Sequence, residues 1–562
     1  MTGRVLIVGL DGATWSVLGP YADEGHLPNL AKLRVDGCWG ELRSTIPPLS
    51  APAWSTFLTG KSPARHGVFH FVDWGDRSGE GAGPTDSLVD GSSIESPTIW
   101  DVVAHHGRRV GVINVPMSYP PRPVHGFMIT GLLTPPDAPV FTYPPELSAE
   151  LSGYQIDLDR FIASKPFAAE EGGTKPRREV KADLELVREF HEMERRRGKT
   201  ALELMRAHEW DVFTVVFTGT DRMGHYLWPY HRPADLDGSP ESARLHEGIK
   251  EVYRTIDASI GELVAQAGDD VTVIVLSDHG MGPIYDRNTH WNKWLYDRGY
   301  VTLEQSSTRT VDGWLLRLGL PRDKLRALVS KVPGVLRSRP VRSLKQAPTA
   351  AVDTTASTAY YERWFDPVGG IRINATGAER ERVRDELMAE IARIVDPETG
   401  TPIVREVHRR EDCLSGPYVD RAPDIVVIMH PRYGSSDRMS SYSSVVTPRP
   451  NISDPGGHHM DGIIVCTGPA IAPRAQACTD LEIEDVAPTV LHLMGLGVPS
   501  DMDGRVLTEM FVAGGPADRP VRTDGPMTWW PNEAEARSST RDETAADEDA
   551  VRDRLRALGY FE

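Results

Sequence analysis

The chain has 562 residues, 40% hydrophobic and 25% charged, with a formal net charge of -18. That length allows one large α/β domain with insertions or several domains, and the acidic balance argues against a general nucleic-acid-binding surface and stable nucleic-acid partners. No apolar run is long enough to span a bilayer.

The segment Met1 to Leu10 lacks the basic region, apolar stretch and small-residue cleavage site of a signal peptide. Cys38, Cys413, Cys466 and Cys478 form no CxxC pair, so the expectation is reduced thiols in a cytoplasmic protein, with any metal held by His and Asp. Arg4 to Leu10 reads as a buried parallel strand ending in Asp11-Gly12. The carboxyl end of such a strand is where α/β sheets place ligand groups, although Asp-Gly by itself also reads as a turn. Leu27 to Val35 reads as an amphipathic helix closed by Gly37.

The stretch Ile46 to Gly60 reads Ile-Pro-Pro-Leu-Ser-Ala-Pro-Ala-Trp-Ser-Thr-Phe-Leu-Thr-Gly. Pro52 suits the first turn of a helix and Gly60 its end, so Ser50 sits at or just before a helix N-terminus. There its hydroxyl lies near unpaired backbone N–H groups and the positive end of the helix dipole, a position that suits an oxygen nucleophile and an anionic substrate. The competing reading is that Ser50 is an N-cap. His66 reads as a packed histidine beside the site, with a catalytic role as the alternative, and Lys61 and Arg65 as pointing away from Ser50. Pro97 to His106 reads as a helix and Val110 to Asn114 as a strand, with Asn114 in a substrate-side loop.

Residues 135 to about 200 break the rhythm. They are Pro-rich, then a long charged helix from about Arg178, and the run Arg195-Arg196-Arg197 reads as a solvated face. Asp211 to Phe217 is the next buried strand. Asp221 and His225 follow it at i and i+4, so on a helical turn both point the same way, as in half a metal site. Glu247 to Ala267 reads as a helix and Val271 to Leu276 as a strand ending in Ser277-Asp278-His279-Gly280. An Asp-His pair among glycines is a ligand signal, because glycine lets backbone and metal approach closely; the alternative is a plain turn.

Val301 to Ala350 is a second insertion and is basic, with Arg322, Lys324 and Arg326 among its cations. It reads as a charged outer face of a cap, or alternatively as guidance for an anionic substrate or contact with a membrane surface. Sheet-like segments return at Gly370 to Asn374 and Asp424 to Met429, with a helix from about Ala378 to Val395 between them. His458 and His459 precede the strand Ile463 to Cys466, and Ile483 to Gly495 reads as a late helix. The acidic, Pro/Gly-rich stretch from Val512 to about Asp549 reads as a mobile or surface-draped tail, and Val551 to Leu558 as a short docked helix stopped by Gly559. The expected organisation is a catalytic domain over 1–511, with cap or lid insertions at about 135–200 and 301–350, and a tail over 512–562.

Asp11, Ser50, Asp221, His225, Asp278, His279 and His458 follow one another at ends of expected strands or beside glycine turns. Their order and contexts resemble the alkaline phosphatase superfamily, especially its type I phosphodiesterase/nucleotide pyrophosphatase branch and its bacterial predicted phosphohydrolases and phosphomutases. The resemblance runs from Val5 to about Leu507, and its most specific pieces are Gly9 to Gly12, Ser50 to Gly60, Asp221 to His225, Ser277 to Met281 and His458 to Gly462. It implies an α/β fold with a central, mostly parallel sheet flanked by helices. It also implies two divalent metal ions: Asp11, Ser50, Asp278 and His279 around one, Asp221, His225 and His458 around the other, with His459 the alternative to His458. Such ligands suit Zn²⁺, with Mn²⁺ as alternative.

The implied chemistry is hydrolysis of a phosphoric ester, a phosphodiester or nucleotide pyrophosphate, through a metal-activated Ser50 and a phosphoseryl intermediate. Candidate substrate-side residues are Ala51, Asn114, Arg322 and Lys324, and the expected partner is a phosphorylated small molecule or nucleotide. Alternatives are a phosphomonoesterase or phosphomutase of the same superfamily, and a catalytically silent protein that binds a phosphorylated ligand. The sequence departs from the nucleotide pyrophosphatase pattern after His66-Gly67, where no Asn follows. Trp54, after Ser50-Ala-Pro-Ala, departs from the sulfatase motif.

Overall fold

The structure is a computed structural model and describes residues 3–73, 87–158, 180–305, 351–437, 439, 443–449, 455–527 and 545–557. The chain divides into two compact units, one of residues 1–283, 415–421 and 453–562, the other of residues 284–414 and 422–452.

In the first unit the apolar runs become the strands they suggest. β1 (Arg4–Leu10), β3 (Val110–Val115), β6 (Val212–Phe217) and β7 (Val271–Leu276) are buried nearly end to end, as strands covered on both faces require. With β2 (Cys38–Arg43), β4 (Gly126–Thr130), β5 (Thr142–Tyr143) and the strands Asp461–Thr467 and Cys478–Glu482 they form a nine-stranded sheet. β1 is parallel to both β6 and β7, β3 to β6 and to β4. The strand Asp461–Thr467 runs antiparallel between β2 and β7. The sheet is therefore mostly parallel, and five neighbouring parallel strands, β7, β1, β6, β3 and β4, present their carboxyl ends side by side.

The helices that bear on those ends follow the sequence closely. The expected helix within Ile46 to Gly60 spans Ser50–Thr59, entirely buried, and stops at Gly60 in the left-handed region. Pro28–Asp36 and Ile99–His105 lie where helices were expected, and Pro240–Ala267 begins seven residues before the expected Glu247. The helix Val180–Ala207 is 28 residues long, and the helix Gly219–Leu227 carries Asp221 and His225. Ile483 to Gly495 is split between a 3-10 turn and the helix Val486–Leu493. The C-terminal helix spans Ala545–Ala557. No helix among the described residues is long and apolar enough to cross a membrane.

One reading of the charged run is corrected. Arg195 and Arg196 are surface groups, but the Arg197 side chain is 0% exposed and paired with Glu194, also 0% exposed. Phe190, Glu194, Arg197 and Ala201 recur at helical spacing and are all buried, so Arg197 faces the core with them.

The second unit holds the antiparallel sheet of Ala359–Phe365, Val368–Ile373, Ile425–Met429 and Val404–Arg409, in that order. The helix Gly377–Ile391 contributes Val383, Leu387 and Ile391 to a core that also holds Trp291, Trp294 and Tyr361. Its basic stretch, with Arg322, Lys324 and Arg326, lies outside the described residues.

Buried histidines in the first unit contribute to its acid sensitivity. Nε2 of His66 donates to Thr56 Oγ1 at 3.0 Å while Nδ1 accepts from the N–H of Val68 at 3.2 Å, which fixes the neutral ring. Burial pushes His66 down to about 3 and His231 down to about 4. Below pH 6.5 the unfolded chain takes up protons that the folded chain refuses. Stability therefore falls with falling pH, by up to about 1.4 kcal/mol per pH unit for each such ring. Urea midpoints measured from pH 7 to pH 4.5 are expected to fall more gently for His66→Gln than for the parent; equal slopes would remove His66 from this account.

Candidate active site

Asp11 follows the last residue of β1, and its backbone N–H donates to the carbonyl of Phe217 at the end of β6 at 2.9 Å. Next to it, Gly12 has φ +64 and donates its N–H to Asp278 Oδ1 at 3.1 Å. A Cβ on Gly12 would lie 2.9 Å from Asp221 Oδ1. Glycine is required there both for its conformation and for the approach of two carboxylates to one backbone turn. Asp278 and His279 follow β7, which parallels β1, so Asp11 and the Asp-His pair emerge at neighbouring strand ends.

Ser50 is the first residue of its helix. Leu49 holds the cap position in extended conformation, so Ser50 is not the N-cap. Ser50 Oγ lies 3.3 Å from His279 Nε2. That nitrogen is also 3.3 Å from Asp278 Oδ2 and 3.7 Å from Asp11 Oδ1.

Asp221 and His225 share one face of their helix, with His225 Nε2 3.4 Å from Asp221 Oδ1. His458 comes from the strand Gly456–His459, which pairs antiparallel with β8 (Gly280–Pro283). His458 Nε2 is 3.5 Å from Asp221 Oδ1 and 2.9 Å from His225 Nε2, and its ring stacks on that of His279 with centroids 3.6 Å apart. Strand alternation separates the two adjacent histidines. His458 is buried in this group, whereas the partly exposed His459 lies over Gly282, where an added Cβ would fall 1.9 Å from its ring.

The donor set fits metal ions. Both oxygens of Asp11 and Oδ2 of Asp278 are buried with no hydrogen-bond donor among the described residues. His458 Nδ1 donates to the Pro48 carbonyl at 2.8 Å and His279 Nδ1 to the Gly280 carbonyl at 3.0 Å. A carbonyl can only accept, so each ring keeps its Nε2 lone pair for the cluster, the arrangement that orients histidine ligands. The potential ligand atoms of Asp11, Asp278 and His279 lie within 4.8 Å of one another, as do those of Asp221, His279 and His458. His279 thus belongs to both groups, and the two sets implied by the sequence are one continuous cluster.

The electrostatics are those of a site short of positive charge. Burial, then the Asp278 and Asp221 carboxylates, push Asp11 well above the carboxylate range. Burial first, with help from Asp221, raises Asp278 to about 7. Against its own desolvation, Asp221 is held well below the ordinary value by His225, His458 and Arg222. Burial lowers His279, and burial plus the neighbouring His279 takes His458 to about 3, so these imidazoles are neutral.

The other expected residues lie differently. Ala51 is buried beside Ser50, and its carbonyl accepts from Ser55 Oγ at 2.8 Å. Asn114 sits near the carboxyl end of β3 with φ 60, and its Nδ2 donates to the Val216 carbonyl at 3.3 Å rather than to any member of the cluster. Lys61 pairs with Asp501 and Arg65 with Asp503, both away from Ser50. Arg222 and Asp157 were not singled out by sequence, yet Arg222 Nη1 donates to Asp221 Oδ2 at 2.5 Å and Nη2 to Asp157 Oδ2 at 2.8 Å. The available signal was the position of Arg222 inside the Asp221–His225 turn; nothing local marks Asp157.

A mostly parallel sheet with this cluster at its carboxyl edge defines an alkaline-phosphatase-like α/β protein. Residues 5–445 match the family model described as type I phosphodiesterase / nucleotide pyrophosphatase, and the chain belongs to that family. By family it is a phosphoryl hydrolase, and members of the family are metal-dependent. Among solved structures, phosphonoacetate hydrolase from Sinorhizobium meliloti 1021, in complex with phosphonoacetate, is similar at 15% identity and TM-score 0.51, covering 88% of this chain and 96% of that one. Human ectonucleotide pyrophosphatase/phosphodiesterase 5 is similar at 14% identity and TM-score 0.43, with 88% and 96% covered. No curated protein matches the sequence.

The contrast between the paired histidines gives a direct check. His458→Ala is expected to lose tightly bound metal on elemental analysis, while His459→Ala keeps the parent's content. The reverse result would move the ligand to His459.

Proposed function

We propose that the protein hydrolyses phosphoric esters, preferring a phosphodiester or nucleotide pyrophosphate, with Ser50 as nucleophile. The observation that carries this reading is the placement of Ser50 Oγ 3.3 Å from His279 Nε2, in a buried cluster with Asp11, Asp221, Asp278, His225 and His458. Asp11, Ser50, Asp278 and His279 would hold one divalent cation, and Asp221, His225 and His458 the other, with Zn²⁺ matched to the imidazole and carboxylate donors. Bound there, the cations would lower the pKa of the serine hydroxyl and offset charge gathering on the phosphoryl oxygens.

Ser50 then attacks phosphorus in line. The hydroxyl gives up its proton to solvent as a bond forms from Oγ to phosphorus, the bond to the leaving oxygen breaks, that oxygen departs as an anion or takes a proton from solvent, and the phosphoryl group rests on the serine. Water attacks the phosphoserine from the side the leaving group has vacated and returns Ser50. The buried start of the Ser50–Thr59 helix adds its dipole to the stabilisation of the phosphoryl oxygens.

The preference for a diester rests on charge. Arg222 is engaged by Asp221 and Asp157, Lys61 by Asp501 and Arg65 by Asp503. A phosphomonoester dianion finds no partner in these three, whereas a diester carries one charge fewer.

Assaying the metal-loaded protein on bis(p-nitrophenyl) phosphate, p-nitrophenyl phosphate and a dinucleoside pyrophosphate tests the substrate class. The diester or pyrophosphate is expected to give the larger kcat/KM; a larger value for the monoester would overturn the preference. Ser50→Ala is expected to cut turnover at least about a thousandfold, as loss of a nucleophile does, while retaining metal. Undiminished turnover in that variant would replace the phosphoseryl route with direct attack by water.

A further inference from the structure

Behind Asp221 lies a group of buried charges that the attack on phosphorus does not use. Asp221 Oδ2 accepts from Arg222 Nη1 at 2.5 Å. The rest of the Arg222 guanidinium closes on Asp157 Oδ2, from Nη2 at 2.8 Å and Nε at 3.3 Å. Arg554, on the helix Ala545–Ala557, is buried and donates from Nη1 to the Thr134 carbonyl at 2.9 Å. Val551 and Leu555 of the same helix are buried with it. Against its own desolvation, Asp157 is held below the ordinary carboxylate value by Arg222 and further by Arg554.

A second arm meets the same short helix at its start. Glu194 Oε1 accepts from the N–H of Gly219, its first residue, at 2.5 Å. Arg197 pairs with Glu194 Oε2 at 2.6 Å, and donates to Thr218 Oγ1 at 3.1 Å and to the Ile156 carbonyl, next to Asp157, at 2.7 Å. Three carboxylates, Asp157, Glu194 and Asp221, are held by two guanidiniums, Arg197 and Arg222.

Buried ion pairs are weak contributors to stability, because well-packed apolar groups of similar volume serve as well or better. What this group supplies is position. A nine-residue helix that slipped by one residue would turn about 100° on its axis and carry Asp221 and His225 out of the cluster. With Oδ2 taken by Arg222, Asp221 presents Oδ1 towards His225 and His458. The planar fork of Arg222 sets that orientation only while Asp157 holds its far side.

We propose that Arg222 and Asp157 are positioning residues for Asp221. This rests on the reading of Asp221 as a metal ligand.

The test titrates Co²⁺ into metal-stripped, full-length protein and reads the visible absorption bands, which report ligand geometry. Asp157→Asn is expected to weaken Co²⁺ binding about tenfold, as loss of an outer-shell partner does, and to shift the bands. It should lower kcat on bis(p-nitrophenyl) phosphate more than it raises KM. Asp157→Glu, which keeps the charge, restores most of the loss. Arg222→Met reproduces the change, and combining it with Asp157→Asn adds little, since the two act in series. Parent-like bands and affinity in Asp157→Asn, whatever its melting temperature, would overturn the proposal. Should that variant not fold, Arg222→Lys, which keeps the charge but loses the planar fork, is held to the same standard: parent-like bands in it overturn the proposal. A parent protein that takes up no Co²⁺ overturns the metal reading itself, a result distinct from normal uptake that is indifferent to Asp157.

Discussion

The structure turns on the crowding of Asp11, Asp221 and Asp278, three carboxylates removed from water and brought together at the carboxyl ends of β1, β6 and β7. Like charges in a dry interior repel and are poorly solvated, so such a group persists only if cations offset it. Every neighbouring feature answers that demand. The imidazoles of His279 and His458 direct lone pairs inward because backbone carbonyls occupy their other nitrogens. Gly12 removes the side chain that would stand between Asp221 and Asp278. The fixed cations are committed one layer back, where breaking a buried pair such as Arg197–Glu194 costs about 3–5 kcal/mol.

Much of this was legible in the sequence, and for a physical reason. Strands covered on both faces must be apolar throughout, so β1, β6 and β7 announce themselves, and the polar residues that terminate them stand out. Asp11, Asp221 with His225, and Asp278 with His279 are all read from that contrast. The Ser50 helix was equally plain from Pro52 and Gly60. Its serine differs from the simplest reading only in lying inside the first turn, with Leu49 as the cap.

What was hidden depends on contacts far apart in sequence. Arg197 looks like part of a basic surface run, because composition cannot distinguish a solvated guanidinium from one opposite Glu194 on a buried helix face. Asp157 sits in an irregular segment with no periodic signal, and its partner is Arg222, 65 residues away. The choice between His458 and His459 needed a strand register, since pairing with Gly280–Pro283 decides which ring enters the cluster. Cys38, Cys466 and Cys478 tell the same story: scattered in sequence, they meet where Cys38 pairs with Cys466 across one strand boundary and Cys478 sits opposite Gly40 across the next.

The antiparallel strand Asp461–Thr467 has a consequence for synthesis. It lies between β2 and β7, joining strands made within the first half of the chain, yet it is itself translated after the whole of the second unit. Until residue 467 clears the ribosome, β2 cannot join the sheet and the edge of β7 stands unpaired, a row of backbone donors and acceptors open to another chain. His458 emerges only nine residues earlier, so the nascent protein carries Asp11, Ser50 and Asp278 for more than 170 residues of elongation without the closing imidazole. Non-local pairing of this kind is slow to form and exposed to aggregation while it waits. The order of translation thus leaves a long interval in which the β7 edge is open to pairing with another chain.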